Sequence, residues 1–288
     1  MNAYFSLYEY LKDKLRTRYN MEYEVEEFIK FIQGRIDLRR YLSCEWILDN
    51  FLYRQIYYFS LKKFYDVSTI SKQLLFNIYD KVKAKNMNIC FIGFGGLIWN
   101  LLEFIYQLYE LKQDKLFNVV YIYDDDVVKW HNVLRLPIPY YRRNAKKVRY
   151  AYKYKVLCNT LKVKDKYFNE DSLKQLIKLH NDNILFVGAF DIETRKLFKK
   201  YQDKVKSLYT GVFQLTLYLF NNYEVCDSDI IATETYGTLD VLNFSYLIAY
   251  SVYAVLEYML KAYDNEKIDA KFDYYQLREL HIKSLQSS

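Results

Sequence analysis

The sequence predicts an α/β fold built on a Rossmann-like βαβ unit, and three observations carry that reading. An apolar run, Asn88-Ile89-Cys90-Phe91-Ile92, leads directly into Gly93-Phe94-Gly95-Gly96. Apolar residues then recur at helical spacing through Leu97, Leu101, Leu102, Ile105, Leu108 and Leu111. A second run, Val119-Val120-Tyr121-Ile122-Tyr123, ends in Asp124 and Asp126, with Asn132 and Arg135 beyond. Strand, glycine turn, helix, strand, acid is the order of a nucleotide-binding unit. Glycine lets backbone N–H groups reach phosphate oxygens, and the helix start adds partial positive charge. A carboxylate closing the second strand accepts ribose hydroxyl protons. The chain has only 7 Gly in 288 residues, so three within four positions is informative.

The other elements follow in order. Residues 1–50 read as a small helical N-terminal extension, and residues 51–288 as the main domain. Asn20 caps a helix over 21–33 that Gly34 stops, and Ser43 caps the next, which carries Trp46, Ile47, Phe51 and Leu52. A helical connector spans 61–87 and ends in the lysine-rich run Lys81-Val82-Lys83-Ala84-Lys85. Pro137 and Pro139 make a loop between Leu136 and about Ala145. The pattern then predicts a helix over about 145–161, a buried strand at 184–188 and a helix over 192–201. Two strands share 207–220, split near Gln214. A polar, Thr-rich loop follows at 227–240, then a helix over 242–262 and a charged amphipathic tail. The stretch 242–260 is apolar, yet it holds Asn243, Ser245, Ser251 and Glu257, which favours a buried or dimer-facing helix over a membrane span.

Composition narrows the function classes. At 52% hydrophobic residues the chain has material for one large core. The net charge is +7, but residues 127–164 hold eleven Lys or Arg and no acid, leaving the rest net acidic. That segment reads either as a positive rim for a triphosphate or as a solvated face; no nucleic-acid module accompanies it. Cys44, Cys90, Cys158 and Cys226 form no C-x-x-C pair, which excludes that zinc pattern. The N-terminus lacks a signal-peptide pattern, so a cytoplasmic protein is expected. His131, His180 and His281 are scattered and form no metal set.

Asp124-x-Asp126-x-Val128-x-x-x-Asn132-x-x-Arg135, behind Gly93-x-Gly95-Gly96, resembles the ThiF/MoeB-type adenylyltransferases, the superfamily of ubiquitin-activating enzymes and sulfur-carrier activators. The layout is similar to peptide- or small-carrier-adenylating members without zinc. Other landmarks appear in order: Tyr53-Arg54-Gln55-Ile56 resembles an entry motif, Lys155 opens a lysine-bearing helix, and Asp191 follows the strand at 184–188 with Arg195 four residues on.

The resemblance implies a Rossmann-like ThiF-type fold with a mixed sheet, binding ATP and Mg2+. It implies a homodimer in which Arg54 acts across the interface on the partner's nucleotide. Gly93, Gly95 and Gly96 would hold phosphates, Asp124 or Asp126 the ribose, and Asn132 and Arg135 the triphosphate. Lys155, with close competitors in Lys153 and Lys147, would stabilise developing charge, and Asp191 would hold magnesium. The expected activity is adenylation of the C-terminal carboxylate of a small protein or ribosomally made peptide. Residues 1–50 would then clamp the peptide or cap a dimer.

Two positions depart from the family pattern: Ile98 stands where a third glycine is usual, and Leu136 where glutamine is common. They motivate an alternative, a catalytically weak scaffold or heterodimer subunit. An NAD-dependent oxidoreductase shares the βαβ unit, but the Asn132–Arg135 spacing argues against it. Cys226, the thioester candidate by position, is flanked by Glu224, Asp227 and Asp229, which disfavour a thiolate.

Overall fold

The computed structural model describes residues 9, 11–13, 26, 29–30, 68–128, 145–213, 216–223, 240–273 and 276–277. Its centre is a seven-stranded sheet of order β3-β2-β1-β4-β5-β6-β7. The strands are β1 (Asn88–Ile92), β2 (Phe117–Tyr123), β3 (Cys158–Lys164), β4 (Leu185–Gly188), β5 (Lys206–Phe213), β6 (Thr216–Phe220) and β7 (Asp269–Asp273). β3, β2, β1, β4 and β5 run parallel, while β6 and β7 add antiparallel. This is a mixed, Rossmann-like α/β sheet, as the sequence predicts.

The central strands bury both faces, and their residues alternate between two cores, as a period of two requires. Ile89 and Phe91 of β1, Val120 and Ile122 of β2, and Leu185 and Val187 of β4 face one core. That core receives the helices α1 (Ser68–Ala84), α2 (Gly96–Lys112) and α5 (Asp240–Tyr263). Cys90, Ile92, Tyr121, Tyr123 and Phe186 face the other, which is closed by α3 (Glu170–His180) and α4 (Ile192–Lys200). A cluster of Phe168, Phe186, Phe190 and Phe198 fills that second layer, with ring centroids 4.6–6.3 Å apart.

Three elements differ from the sequence reading. The helix expected over 145–161 is a 3-10 helix over Lys147–Leu157, after which β3 begins at Cys158. β3 adds beside β2, so Cys158 starts a strand instead of riding a helix. α3 was not anticipated, although Asn169 caps it by accepting the Ser172 N–H and acids fill its first turn. β7 falls in the stretch read as an amphipathic tail and pairs with β6.

α5 packs on β5, β6 and α1. Among the described residues no helix is long and apolar enough to cross a membrane. Within 1–50, residues 9, 11–13, 26 and 29–30 are helical, Leu11 and Ile29 are buried, and Lys12 pairs with Glu26. The expected peptide clamp or dimer cap otherwise lies outside the described residues, as does the 227–239 loop.

Candidate functional site

β1 pairs with β2 on one side and β4 on the other, so the chain leaves β1 in one direction and returns later to its opposite edge. Such a reversal opens a crevice at the strands' C-terminal ends. A cavity of about 200 Å³ lies there, lined by Gly93, Tyr123, Asp124, Asp125, Asp126, Lys166, Tyr167, Asp191 and Thr194, among others.

The glycine loop forms the floor. Gly93 has φ +81°, a conformation that only glycine adopts without strain, and a Cβ there would meet nothing within 4 Å. The loop therefore faces open space. Its N–H donates to the Tyr123 carbonyl at 2.8 Å, tying the ends of β1 and β2 together. Gly95 is the N-cap of α2, and no side chain caps that helix. The first-turn N–H groups thus keep the capacity to receive an anion. Phe94 turns inward and stacks on Trp99 at 4.5 Å. Ile98 is buried in the α2-side core and does not line this cavity.

The acidic turn forms the first wall. Asp124 is buried, and its carboxylate accepts the Phe94 N–H at 2.6 Å and the Asp126 N–H at 2.8 Å. It therefore also shapes the glycine loop. Burial raises its pKa above the ordinary carboxylate value, only partly offset by Lys147 and the two N–H donors. Lys147 is equally buried, 2.7 Å from Asp126 and 3.8 Å from Asp124. A short antiparallel bridge, Val127 to Lys146, brings it there.

The three candidate lysines therefore separate. Lys147 joins the acidic turn. Lys153 pairs with Glu103 of α2 at 2.7 Å. Lys155 is exposed near the far end of the 3-10 helix, about 16 Å along its axis from Lys147. The family resemblance points to Lys155, at the place of the family's lysine-bearing helix. The bridge that delivers Lys147 is a tertiary contact with no local periodicity.

Asp191 forms the opposite wall, just beyond β4. It caps α4, accepting the Thr194 N–H at 2.8 Å, and its other oxygen accepts the Tyr167 hydroxyl at 2.6 Å. Burial pushes its pKa up, but those donors and the Arg195 charge outweigh it and hold the carboxyl below its usual value. Capping uses one lone pair per oxygen, so the carboxylate retains acceptor capacity for a cation. The lining carries four aspartates against one lysine, Lys166, a balance that suits a cation accompanying a triphosphate. Among the described residues no group of three or more His, Cys, Asp or Glu is placed to cage a metal. Magnesium bound with a nucleotide needs just one or two carboxylates, so the donor set fits.

Arg54, Asn132 and Arg135 lie outside the described residues, as do Leu136, His131 and Cys226. Cys90 is fully buried in β1, and burial pushes its thiol pKa up; the Cys158 thiol is pushed up to about 11. Both are inert thiols. A larger cavity, about 370 Å³, sits at the other end of the sheet where β5 begins. Its polar walls are paired internally, Tyr223 to Ser207 at 2.8 Å and Asn221 to the Ile268 N–H at 2.9 Å.

No protein-family model matches the sequence, and no curated protein matches it. Solved structures do align with the chain. E. coli MccB with MccA-N7isoASN aligns at 12% identity and TM-score 0.45, over 68% of this chain and 66% of that one, just under two thirds. PaaA aligns at 13% identity and TM-score 0.41, over 76% and 82%. E. coli tRNA N6-threonylcarbamoyladenosine dehydratase, TcdA, in complex with AMP aligns at 11% identity and TM-score 0.41, over 63% and 90%. Each of these alignments is partial and has a TM-score below 0.5.

Proposed function

We propose that the chain is an ATP-dependent adenylyltransferase that activates the C-terminal carboxylate of a small protein or peptide. The observation that carries this reading is the crevice at the sheet's switch point. There Gly93, open and at positive φ, stands beside an acidic wall holding a buried lysine, with Asp191 opposite, and the uncapped start of α2 follows Gly93 directly.

In the proposed reaction a carboxylate oxygen of the acceptor bonds to the α-phosphorus, and the bond from that phosphorus to the bridging oxygen breaks. Pyrophosphate leaves with the electron pair. No covalent bond to the protein is needed; the chain aligns two anions and supports charge on the leaving group. Backbone N–H groups of Gly95 and Gly96 bind phosphate oxygens, while Gly93, whose own N–H is held by the Tyr123 carbonyl, supplies the turn that lets them approach. Asp126, the more exposed acid, or Asp124 receives the ribose hydroxyls. Lys147 takes the charge-stabilising role expected of Lys155. Asn132 and Arg135 complete the triphosphate contacts, and Arg54 reaches the site from the other protomer of a homodimer. Asp191 holds magnesium, which when bound with the nucleotide neutralises phosphate charge.

The test is ATP–pyrophosphate exchange with acceptor peptides ending in a free carboxylate. Exchange is expected with an acceptor, and should vanish when that C-terminus is amidated and in R135A and D191A. ATP binding without exchange on any acceptor would support the scaffold alternative. Absence of ATP binding would remove the nucleotide reading altogether.

A further inference from the structure

Tyr167 is a large aromatic left 46% exposed at the edge of the crevice. It lies in the loop between β3 and α3, whereas Asp191 follows β4, so a bond between them spans two strand ends separated by β2 and β1 in the sheet. The Tyr167 hydroxyl donates to Asp191 Oδ2 at 2.6 Å, while the Thr194 N–H holds Oδ1 at 2.8 Å. The Thr194 side chain adds a further hydrogen bond to the same carboxylate. Both Thr194 donors belong to α4, whereas Tyr167 comes from the loop after β3. Its bond therefore ties the carboxylate to a second element and helps present the remaining lone pairs in one direction.

We propose that Tyr167 is a positioning residue that orients the Asp191 carboxylate toward a divalent cation carried into the crevice by nucleotide phosphates. The inference rests on the adenylation reading above. Tyr167 touches no reacting atom; it acts through Asp191, and the preorganisation it supplies is lost when the hydroxyl is removed. The charged and titratable groups around Asp191 are Tyr167 from the loop, Glu193 and Arg195 from α4, and Asp124, Asp125, Asp126 and Lys166 around the cavity.

The experiment compares the full wild-type chain with Y167F, which keeps the ring, and with D191N. ATP affinity is measured calorimetrically with magnesium and with EDTA. Y167F is expected to match wild type in EDTA, and to lose about threefold to tenfold of the affinity gained with magnesium. D191N should abolish that gain. An unchanged magnesium gain in Y167F overturns the inference while leaving nucleotide binding intact. No magnesium gain in wild type does the same. No ATP binding by wild type removes the adenylation reading and this inference with it.

Discussion

Lys147 and Asp124 are nearly buried within 3.8 Å of each other, and two N–H groups supply the rest of the compensation that Asp124 needs. Replacing Lys147 by methionine keeps the apolar stem but strands a buried carboxylate. Because Phe94 and Asp126 still donate to it, K147M should lose about 1–3 kcal/mol near pH 7, below the cost of breaking a fully buried pair. The pH dependence has a definite sign. Asp124's folded pKa lies above its ordinary value of 3.8, so the folded state binds its proton more tightly. Stability therefore falls as pH rises from 3.8 through the folded pKa, then levels off. Losing Lys147 raises that pKa further and extends the falling stretch upward. Urea unfolding of both proteins between pH 4 and 8 measures this; superimposable profiles would refute the pairing. Asp191 was legible in sequence because it directly follows the apolar strand at 184–188 and precedes the helix over 192–201. Lys147 was named there but could not be told from Lys155, since its place depends on a bridge closed across a sixteen-residue stretch, 129–144.

At the scale of elements, β1 and β4 lead into the crevice, and Gly188 pairs with Ile92 at its edge. A Cβ on Gly188 would lie 2.1 Å from the Ile92 carbonyl oxygen, a backbone atom that cannot swing aside, and 3.2 Å from the Phe190 ring. G188A should therefore force the two strand ends apart and cost on the order of 3 kcal/mol. Denaturant unfolding checks it, and a variant within about 0.5 kcal/mol of wild type would show that the strands have room. The central strands and α2 were readable because both faces are buried and the apolar residues keep strict periods. β3 was not. Its exposed Asn159, Thr160, Lys162 and Lys164 follow the 3-10 helix without a glycine or proline to mark the change. Such an edge strand is stabilised by pairing with β2, and its lysines suit an edge more than a core. β7 likewise owes its form to β6, with Asp269 and Asp273 at its ends. The tertiary partner decided both, and local propensity did not.

For the whole molecule, the arrangement concentrates glycine loop, acidic turn and Asp191 at one end of a sheet whose opposite end begins the strands. A ligand seated there contacts the ends of β1, β2 and β4 together, so its binding energy acts on the central sheet and not on one loop. Linkage then requires that MgATP raise global stability by an amount set by its concentration relative to Kd. At a hundred times Kd the gain is about 2.7 kcal/mol. For a chain of this size that corresponds to a rise of about 5 °C in the unfolding midpoint. The rise should grow with the logarithm of nucleotide concentration and should accompany the cooperative loss of the sheet, read by far-UV circular dichroism. GTP and NAD at the same concentrations provide the comparison: a larger shift with NAD would return the oxidoreductase reading. A midpoint indifferent to all three would mean that the crevice is not a nucleotide site, however well its loop and acids are placed.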